Sequence, residues 1–191
     1  MPEGVKSIGK QAFFRSNSLR TISFPNSVVS IGANALSPTQ WYTNQAEGMT
    51  YAGNVAYKYK GTLPEDASIE LKEGTMGIAD EIFMDSTKLA SYTLPESLTT
   101  IGESAFRGCQ LYTVTIQNPE PCQLSSTAFA NASADAILYV PSGSKEAYEA
   151  ASYWNEFKKI LEMKPLGDIN GDGKVTIADV TRLVDIFLGK K

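Results

Sequence analysis

Histidine is absent from all 191 residues. That single absence removes Ser-His-Asp and Cys-His nucleophile systems, His-ligated zinc and imidazole general bases, so any catalysis would rest on carboxylates, Lys, Tyr or a metal. Cysteine is nearly absent: Cys109 and Cys122 are too few for a disulfide framework and lack the C-x-x-C spacing of zinc or redox sites. Both read as small buried apolar residues. Long apolar runs are missing as well, the best being Ala136-Ile137-Leu138-Tyr139-Val140, far short of the roughly eighteen residues a membrane span needs. The opening Met1-Pro2-Glu3-Gly4-Val5 has no charged stretch followed by an apolar one, so no signal peptide is read in it. Basic residues do not cluster: 17 stand against 21 acidic ones, for a net charge of −4 and a pI near 5.0. A nucleic-acid partner is therefore not expected.

What is present is ordinary globular material, 42% hydrophobic and 20% charged, which suffices for a core. The length suits one domain with a small appendage, or two small domains. A repeat runs through most of it. Pro2-Glu3-Gly4-Val5-Lys6-Ser7-Ile8-Gly9 with Ala12-Phe13 returns as Pro25-Asn26-Ser27-Val28-Val29-Ser30-Ile31-Gly32 with Ala35-Leu36, a shift of 25 − 2 = 23. It returns again as Pro95 to Gly102 with Ala105-Phe106; the same period places degenerate copies at Ile78/Phe83 and Ala128/Phe129. Each copy has an alternating second half that reads as a strand: Leu19, Ile22, Phe24; Leu89, Tyr92, Leu94; then Val114, Ile116 and Leu138, Val140. Pro25, Pro95 and Pro141 follow those strands directly, where a missing N–H is tolerated.

A unit of this size cannot bury its own apolar face, so neighbouring copies must stack into one continuous core. The expected fold is an α/β repeat, a solenoid of short strands and short helical turns, with a β-hairpin insertion and a small EF-hand-like α segment at the C-terminal end. Gly9, Gly32 and Gly102 are expected at corners needing positive φ, and Phe13, Phe83, Phe106 and Phe129 in a core stack. The spacing between the cysteines, 122 − 109 = 13, is not the period, which argues against a bond between stacked neighbours.

These repeated positions resemble the bacterial surface protein A (BspA)-like leucine-rich repeat family, with its I-P-x-x-V-x-x-I-G-x-x-A-F-x-x-C-x-x-L-x-x-I-x-I pattern. The resemblance covers residues 1–161 and implies a leucine-rich-repeat solenoid, with Cys109 at the family's buried cysteine position. Residues 138–161, including Lys145-Glu146-Ala147-Tyr148 and Trp154-Asn155-Glu156-Phe157, resemble the terminal cap of such arrays. The resemblance further implies a secreted or cell-surface bacterial protein that adheres to a host or bacterial surface protein.

Residues 37–70 interrupt the period. Alternation at Val55, Tyr57 and Tyr59 predicts a hairpin, and with Trp41 and Tyr42 these rings admit two readings. They either form a platform on which a glycan stacks or pack the hairpin onto the solenoid. Outward strand residues Thr21, Ser23, Ser91, Thr93, Thr113 and Thr115 form a short polar ladder, equally at home on any solvated sheet.

The segment 162–191 carries the clearest chemical pattern. Asp168, Asn170, Asp172, the Lys174 carbonyl, a water held at Thr176, and Asp179 occupy positions one, three, five, seven, nine and twelve of a calcium loop, with Gly173 at the turn. Oxygen donors at that spacing suit Ca²⁺, a hard cation that takes six to eight of them. A surface Asx-turn is the competing reading. Position twelve is Asp, not a bidentate Glu, and no apolar helix precedes the loop. Leu166 through Leu188-Gly189 resembles one repeat of a type I dockerin, the calcium-dependent module that docks onto cohesin domains and usually carries two such repeats. That resemblance places Ile177, Ala178, Val184 and Asp185 at partner-choosing positions; they could equally pack on the solenoid. It also raises a second reading, a non-catalytic component of a polysaccharide-degrading assembly. No carboxylate pair stands out for glycoside hydrolysis, and no enzyme is expected.

Overall fold

The computed structural model describes residues 1–189. In chain order the elements are β1 (Ser7–Ile8), β2 (Ser30–Ile31), α1 (Gln40–Thr43), β3 (Gly48–Ala52), β4 (Val55–Lys60), β5 (Ala67–Glu70), β6 (Gly77–Ile78), β7 (Leu89–Leu94), β8 (Thr100–Ile101), β9 (Thr113–Ile116), β10 (Gln123–Leu124), β11 (Ile137–Val140), α2 (Lys145–Ala150), a 3-10 turn (Trp154–Glu156), β12 (Lys159–Glu162) and α3 (Ile177–Phe187). They wind into a β-solenoid with a short β1–β2 pair and two longer ladders, one per half-repeat, parallel except where β3 joins β4. The first runs β10-β8-β6-β4-β3, and the second β12-β11-β9-β7-β5. Register keeps like residues stacked: Ile78, Ile101 and Leu124 align in one ladder, and Tyr92, Val114, Leu138 and Ile160 in the other. Because strand side chains alternate, aligning these residues aligns every inward position, and Leu94, Leu111, Val114, Ile116 and Leu138 are wholly buried.

The Ala-Phe pairs, expected in short helical turns, lie in single tight turns closed by N–H bonds to the residue three before. The N–H of Ala12 reaches Gly9 O (3.1 Å), and that of Ala128 reaches Ser125 O (3.0 Å). A left-handed residue directly precedes four of the five motif pairs, Gln11 (φ 59°), Asn34 (54°), Glu81 (57°) and Ser104 (53°), but not Ala128-Phe129. That conformation stops a helix from propagating. It leaves the next N–H free to bond across the stack, Phe13 to Ala35 O (2.7 Å), Phe83 to Ala105 O (2.9 Å) and Phe106 to Ala128 O (2.8 Å).

The motif glycines also act differently from expectation. Gly9, Gly32 and Gly102 do not have positive φ. At Gly32 an added Cβ would lie 2.3 Å from the backbone N of Lys10, and at Gly102 2.7 Å from that of Asp80. Glycine is needed there because the preceding turn's backbone passes through the space of a side chain. Gly9, in the first turn, has nothing within 4 Å of that point. The degenerate third copy has Ala79 at the motif position and moves its glycine to Gly77, where a Cβ would sit 2.0 Å from Val29 O.

Phe83, Phe106 and Phe129 form the expected column, with ring centroids 6.0 and 5.0 Å apart and planes within 18° and 9° of parallel. Phe13 is not part of it. Leu36 stands at the aromatic position of the second copy, and Phe13 packs in a separate core with Ile31, Leu36, Val55 and Tyr57. The break between the two cores coincides with the insertion. Its hairpin pairs Gly48–Ala52 with Val55–Lys60, and β4 then runs parallel to β6, standing in the first ladder where a repeat strand would be.

Two strand assignments change accordingly. Leu19 to Phe24 is irregular, since Leu19 O is taken by the N–H of Trp41 (2.7 Å) and Phe24 packs on the Trp41 ring (5.4 Å) in place of a strand neighbour. Ala67–Glu70, inside the expected insertion, is instead the edge strand of the second ladder. Its signal was Leu71 standing directly before Lys72, as Leu94 stands before Pro95.

The far end is closed by α2, the 3-10 turn and β12. Tyr148 and Trp154 are fully buried, with the Tyr148 hydroxyl donating to Asn118 O (2.8 Å) and the Trp154 indole N–H to Cys122 O (3.1 Å). Both cysteines are free, buried thiols. Burial pushes Cys109 up to about 11 and Cys122 up to about 12, and it pushes the Tyr57 hydroxyl up to about 12.

Two outcomes are expected. Gly32→Ala should destabilise the fold by about 1–3 kcal/mol through overpacking against fixed backbone, whereas Gly9→Ala should be near neutral; equal losses in urea unfolding would refute the close-approach explanation. Raised thiol and phenol values mean that these groups stabilise the fold fully below their unfolded values, 9.0 for Cys and 10.0 for Tyr, and lose that contribution as pH climbs to about 11–12. The urea midpoint should therefore fall as pH is raised above about 9, and neither thiol should react with an aromatic disulfide at pH 8 until the chain is unfolded.

Candidate functional site

Three groups of residues singled out in the sequence are far apart in character. The hairpin aromatics are structural: Trp41 lies against Phe24 and, at 6.3 Å, against Tyr57, while Tyr42 meets Tyr57 edge-on at 6.0 Å and Tyr59 leans on Phe83 at 6.3 Å. Tyr57 is buried and its hydroxyl accepts the Leu36 N–H (3.0 Å). Lys58 sits 6.0 Å above the Tyr42 ring, and the Lys60 ammonium donates to Thr43 O and Gln45 O beneath α1. Ring faces are thus occupied by neighbours, which is the packing alternative of the two.

The C-terminal segment is built around three acidic residues. Asp168 accepts backbone N–H groups from Gly171 (2.7 Å), Asp172 (3.2 Å) and Gly173 (2.9 Å), so its carboxylate curls the loop around itself. Gly171 (φ 80°) and Gly173 (φ 83°) supply the left-handed turns this requires. Asn170 Oδ1 accepts from Asp172 N–H (2.8 Å) while its amide donates to Asp172 Oδ2 (3.1 Å), and Asp172 Oδ1 accepts from Lys174 N–H (2.9 Å). Asp168, Asn170 and Asp172 are thereby tied to one another and to the loop's own backbone.

Asp179 is in a different position from its neighbours. It is the buried charge of the segment, accepting from Thr176 N–H (2.6 Å), Ile169 N–H (2.9 Å) and Asn170 N–H (3.2 Å). The Thr176 N–H, then those of Asn170 and Ile169, hold this carboxyl below its ordinary value. Thr176 is the N-cap of α3, its hydroxyl accepting from Ala178 N–H (3.2 Å), and with Asp179 it completes a capping box. The expected ninth and twelfth loop positions therefore start the helix and tie it back to the loop's first residues. Among the described residues no group of three or more Cys, Asp or Glu side chains converges as a metal cluster; the donors here are a mixture of carboxylate, amide and carbonyl oxygens.

Beyond the loop, α3 turns its apolar stripe outward. Ile177 is 78% exposed, Phe187 87%, and Val180, Leu183, Val184 and Leu188 are all exposed; Ala178 is exposed and Asp185 half-exposed. Packing of these residues on the solenoid does not occur. The segment touches the solenoid through the Ser142 hydroxyl, which donates to Gly173 O (3.2 Å). No helix among the described residues is long and apolar enough to cross a membrane.

The solenoid geometry agrees with the family comparison. The BspA type leucine-rich repeat region matches residues 1–63 and 50–164, in six copies. A solved leucine-rich cell surface protein from Faecalibacterium prausnitzii A2-165 aligns with 90% of this chain at 19% identity and a TM-score of 0.37, and the chain spans 61% of that protein's length. A search of the curated proteins finds no match. With its repeats matched over most of its length and wound into stacked turns, this chain belongs to the BspA-type leucine-rich repeat family.

Proposed function

We propose that this chain is a non-catalytic binding protein of the bacterial cell surface or exterior, in which the solenoid is a rigid display scaffold and the C-terminal segment is a calcium-dependent docking element. The observation that carries the reading is the pairing of an oxygen-rich loop with a helix whose apolar stripe is exposed and uncovered among the described residues. An exposed stripe of this kind, bordered by polar residues, is characteristic of an interaction surface. The partner class is protein. The solenoid supplies rigidity, since each turn is held to its neighbours by backbone ladders, and so fixes the distance between the docking element and its other surfaces.

The residues fit calcium in kind. Asp168, Asn170, Asp172, the Lys174 carbonyl and Asp179 offer oxygen only, and three carboxylates bring the negative charge that a hard divalent cation requires. Bound there, the ion would neutralise carboxylates now held by backbone N–H groups, the Asn170 amide and the Thr176 hydroxyl, and so steady the start of α3. Asp179 already joins the loop to the helix, which gives ion binding a direct route to the exposed stripe. The resemblance to one dockerin repeat favours a second reading of the same element, in which the partner is a cohesin and the assembly degrades polysaccharide; the exposure of Ile177, Ala178 and Val184 supports it.

Calorimetric titration of calcium into the chelator-treated chain should show one ion bound per chain, with binding abolished in the Asp168→Ala/Asp172→Ala variant while the thermal midpoint of the solenoid is unchanged. No heat of binding in the parent chain would overturn the calcium-dependent part of the reading.

A further inference from the structure

The cap leaves a cleft of about 170 Å³ between the last repeat turn and the 3-10 turn, with Phe129, Phe157 and Tyr153 as its aromatic members and Asn131, Ser133 and Glu156 among its polar ones. Its geometry differs from the rest of the core in three respects. First, it sits at the end of the aromatic column. Phe106 covers Phe129 at 5.0 Å, Phe157 meets Phe129 at 5.1 Å and 71°, and Trp154 stacks on Phe157 at 6.2 Å. Phe129 and Phe157, both only partly buried, line the cleft.

Second, Tyr153 has a left-handed backbone, φ 67° and ψ −26°, and yet is 39% exposed. This conformation costs an L residue roughly 1–2 kcal/mol and is rare for bulky ones. Glycine or asparagine would fit with less strain. The buried Trp154 on one side and the bond from Asn155 N–H to Ala151 O (3.2 Å) on the other hold the turn in place. Strain kept at a half-exposed aromatic beside a cavity directs attention to what that ring does there. Third, the side chains of Asn131, Ser133 and Glu156 make no hydrogen bond or ion pair among the described residues, so their donors and acceptors are available at the rim.

The lining, more than the size, points to the ligand, since an open cleft of about 170 Å³ can hold one face of a ring and leave the rest in solvent. A purely apolar ring would leave the carboxylate, amide and hydroxyl at the rim unused. An anion would face Glu156 with no cation lining the cleft. A neutral pyranose matches both halves, with a C–H face for the aromatic rings and hydroxyls that donate to Glu156 and exchange hydrogen bonds with Asn131 and Ser133. We propose that the cleft between the last repeat and the cap, centred on Tyr153, binds a single neutral pyranose ring through aromatic contact and hydroxyl bonds to Glu156 and Asn131. This site lies outside the calcium loop and does not depend on it.

The test is saturation-transfer NMR on the full chain, in chelator, with the methyl glycosides of glucose, galactose, mannose, fucose and N-acetylglucosamine. At least one should receive saturation. Tyr153→Gly should abolish the signal while leaving the thermal midpoint equal or higher, because glycine accepts the left-handed backbone that tyrosine resists. Glu156→Gln should weaken binding roughly tenfold, the scale of one charge-assisted hydrogen bond. A purely structural Tyr153 would give the opposite pattern, with stability altered and binding kept. An oligosaccharide ending in the same sugar that binds more tightly than the methyl glycoside identifies a glycan end as the source, and equal binding identifies free sugar. Absence of saturation for all five glycosides, or its persistence in Tyr153→Gly, overturns the proposal. Because calcium is withheld throughout, failure here leaves the docking reading untouched, and failure of calcium binding leaves this one untouched.

Discussion

A turn of this solenoid has an interior only because another turn lies against it, and the distance between the two is set by backbone hydrogen bonds across the stack. Phe83 N–H to Ala105 O and Phe106 N–H to Ala128 O are two such rungs, running beside the paired strands of the two ladders. Once that spacing is imposed, side chains have no freedom at the corners. Gly32 and Gly102 are glycine because the backbone of the turn before them lies where a Cβ would be. The Phe83, Phe106 and Phe129 rings fall into a column for the same reason, since equivalent residues of successive turns are held one above another. Burial of the column and of the aligned Leu, Ile and Val residues then supplies the apolar stabilisation that a single unit could not.

The same constraint explains the behaviour of the insertion. A repeat array interrupted by some thirty residues must either loop the extra chain outward or give it a place in the stack. Here the hairpin takes a place: β4 pairs with β6 in the ladder, and its Tyr57, with Trp41 and Tyr42, fills the second core. The cost falls on the second ladder, where Leu19 to Phe24 loses its strand neighbour and bonds to Trp41 instead. The interior is thereby divided into two clusters, one in which phenylalanines stack and one in which Leu36 replaces the ring.

Function belongs to the places where stacking stops. Inside the array, apolar and aromatic residues are consumed by neighbouring turns. Among the described residues no further turn stacks on β12, and this end presents a cap cleft, a loop of oxygen donors and a helix with its apolar stripe in solvent. A rigid array with exposed apolar and oxygen-donor groups gathered at one end is the arrangement on which the proposed binding role rests.

The period, the inward positions, the lack of imidazole chemistry and the oxygen pattern between Asp168 and Asp179 were all legible in the amino-acid order, because each depends on spacing along one chain. Periodicity also showed where the hairpin would interrupt the array. It could not show that the hairpin would enter the ladder, that Ala67–Glu70 would be a repeat strand, or that the motif glycines answer to a neighbour's backbone and not to their own φ. Nor could it distinguish stacked rings from an aromatic platform at Trp41, Tyr42, Tyr57 and Tyr59, or find Tyr153, an isolated aromatic outside the period. Those outcomes are contacts between segments about fifteen or more residues apart, and they were decided only when the turns were brought to their stacking distance and each side chain met whatever the next turn had already placed there.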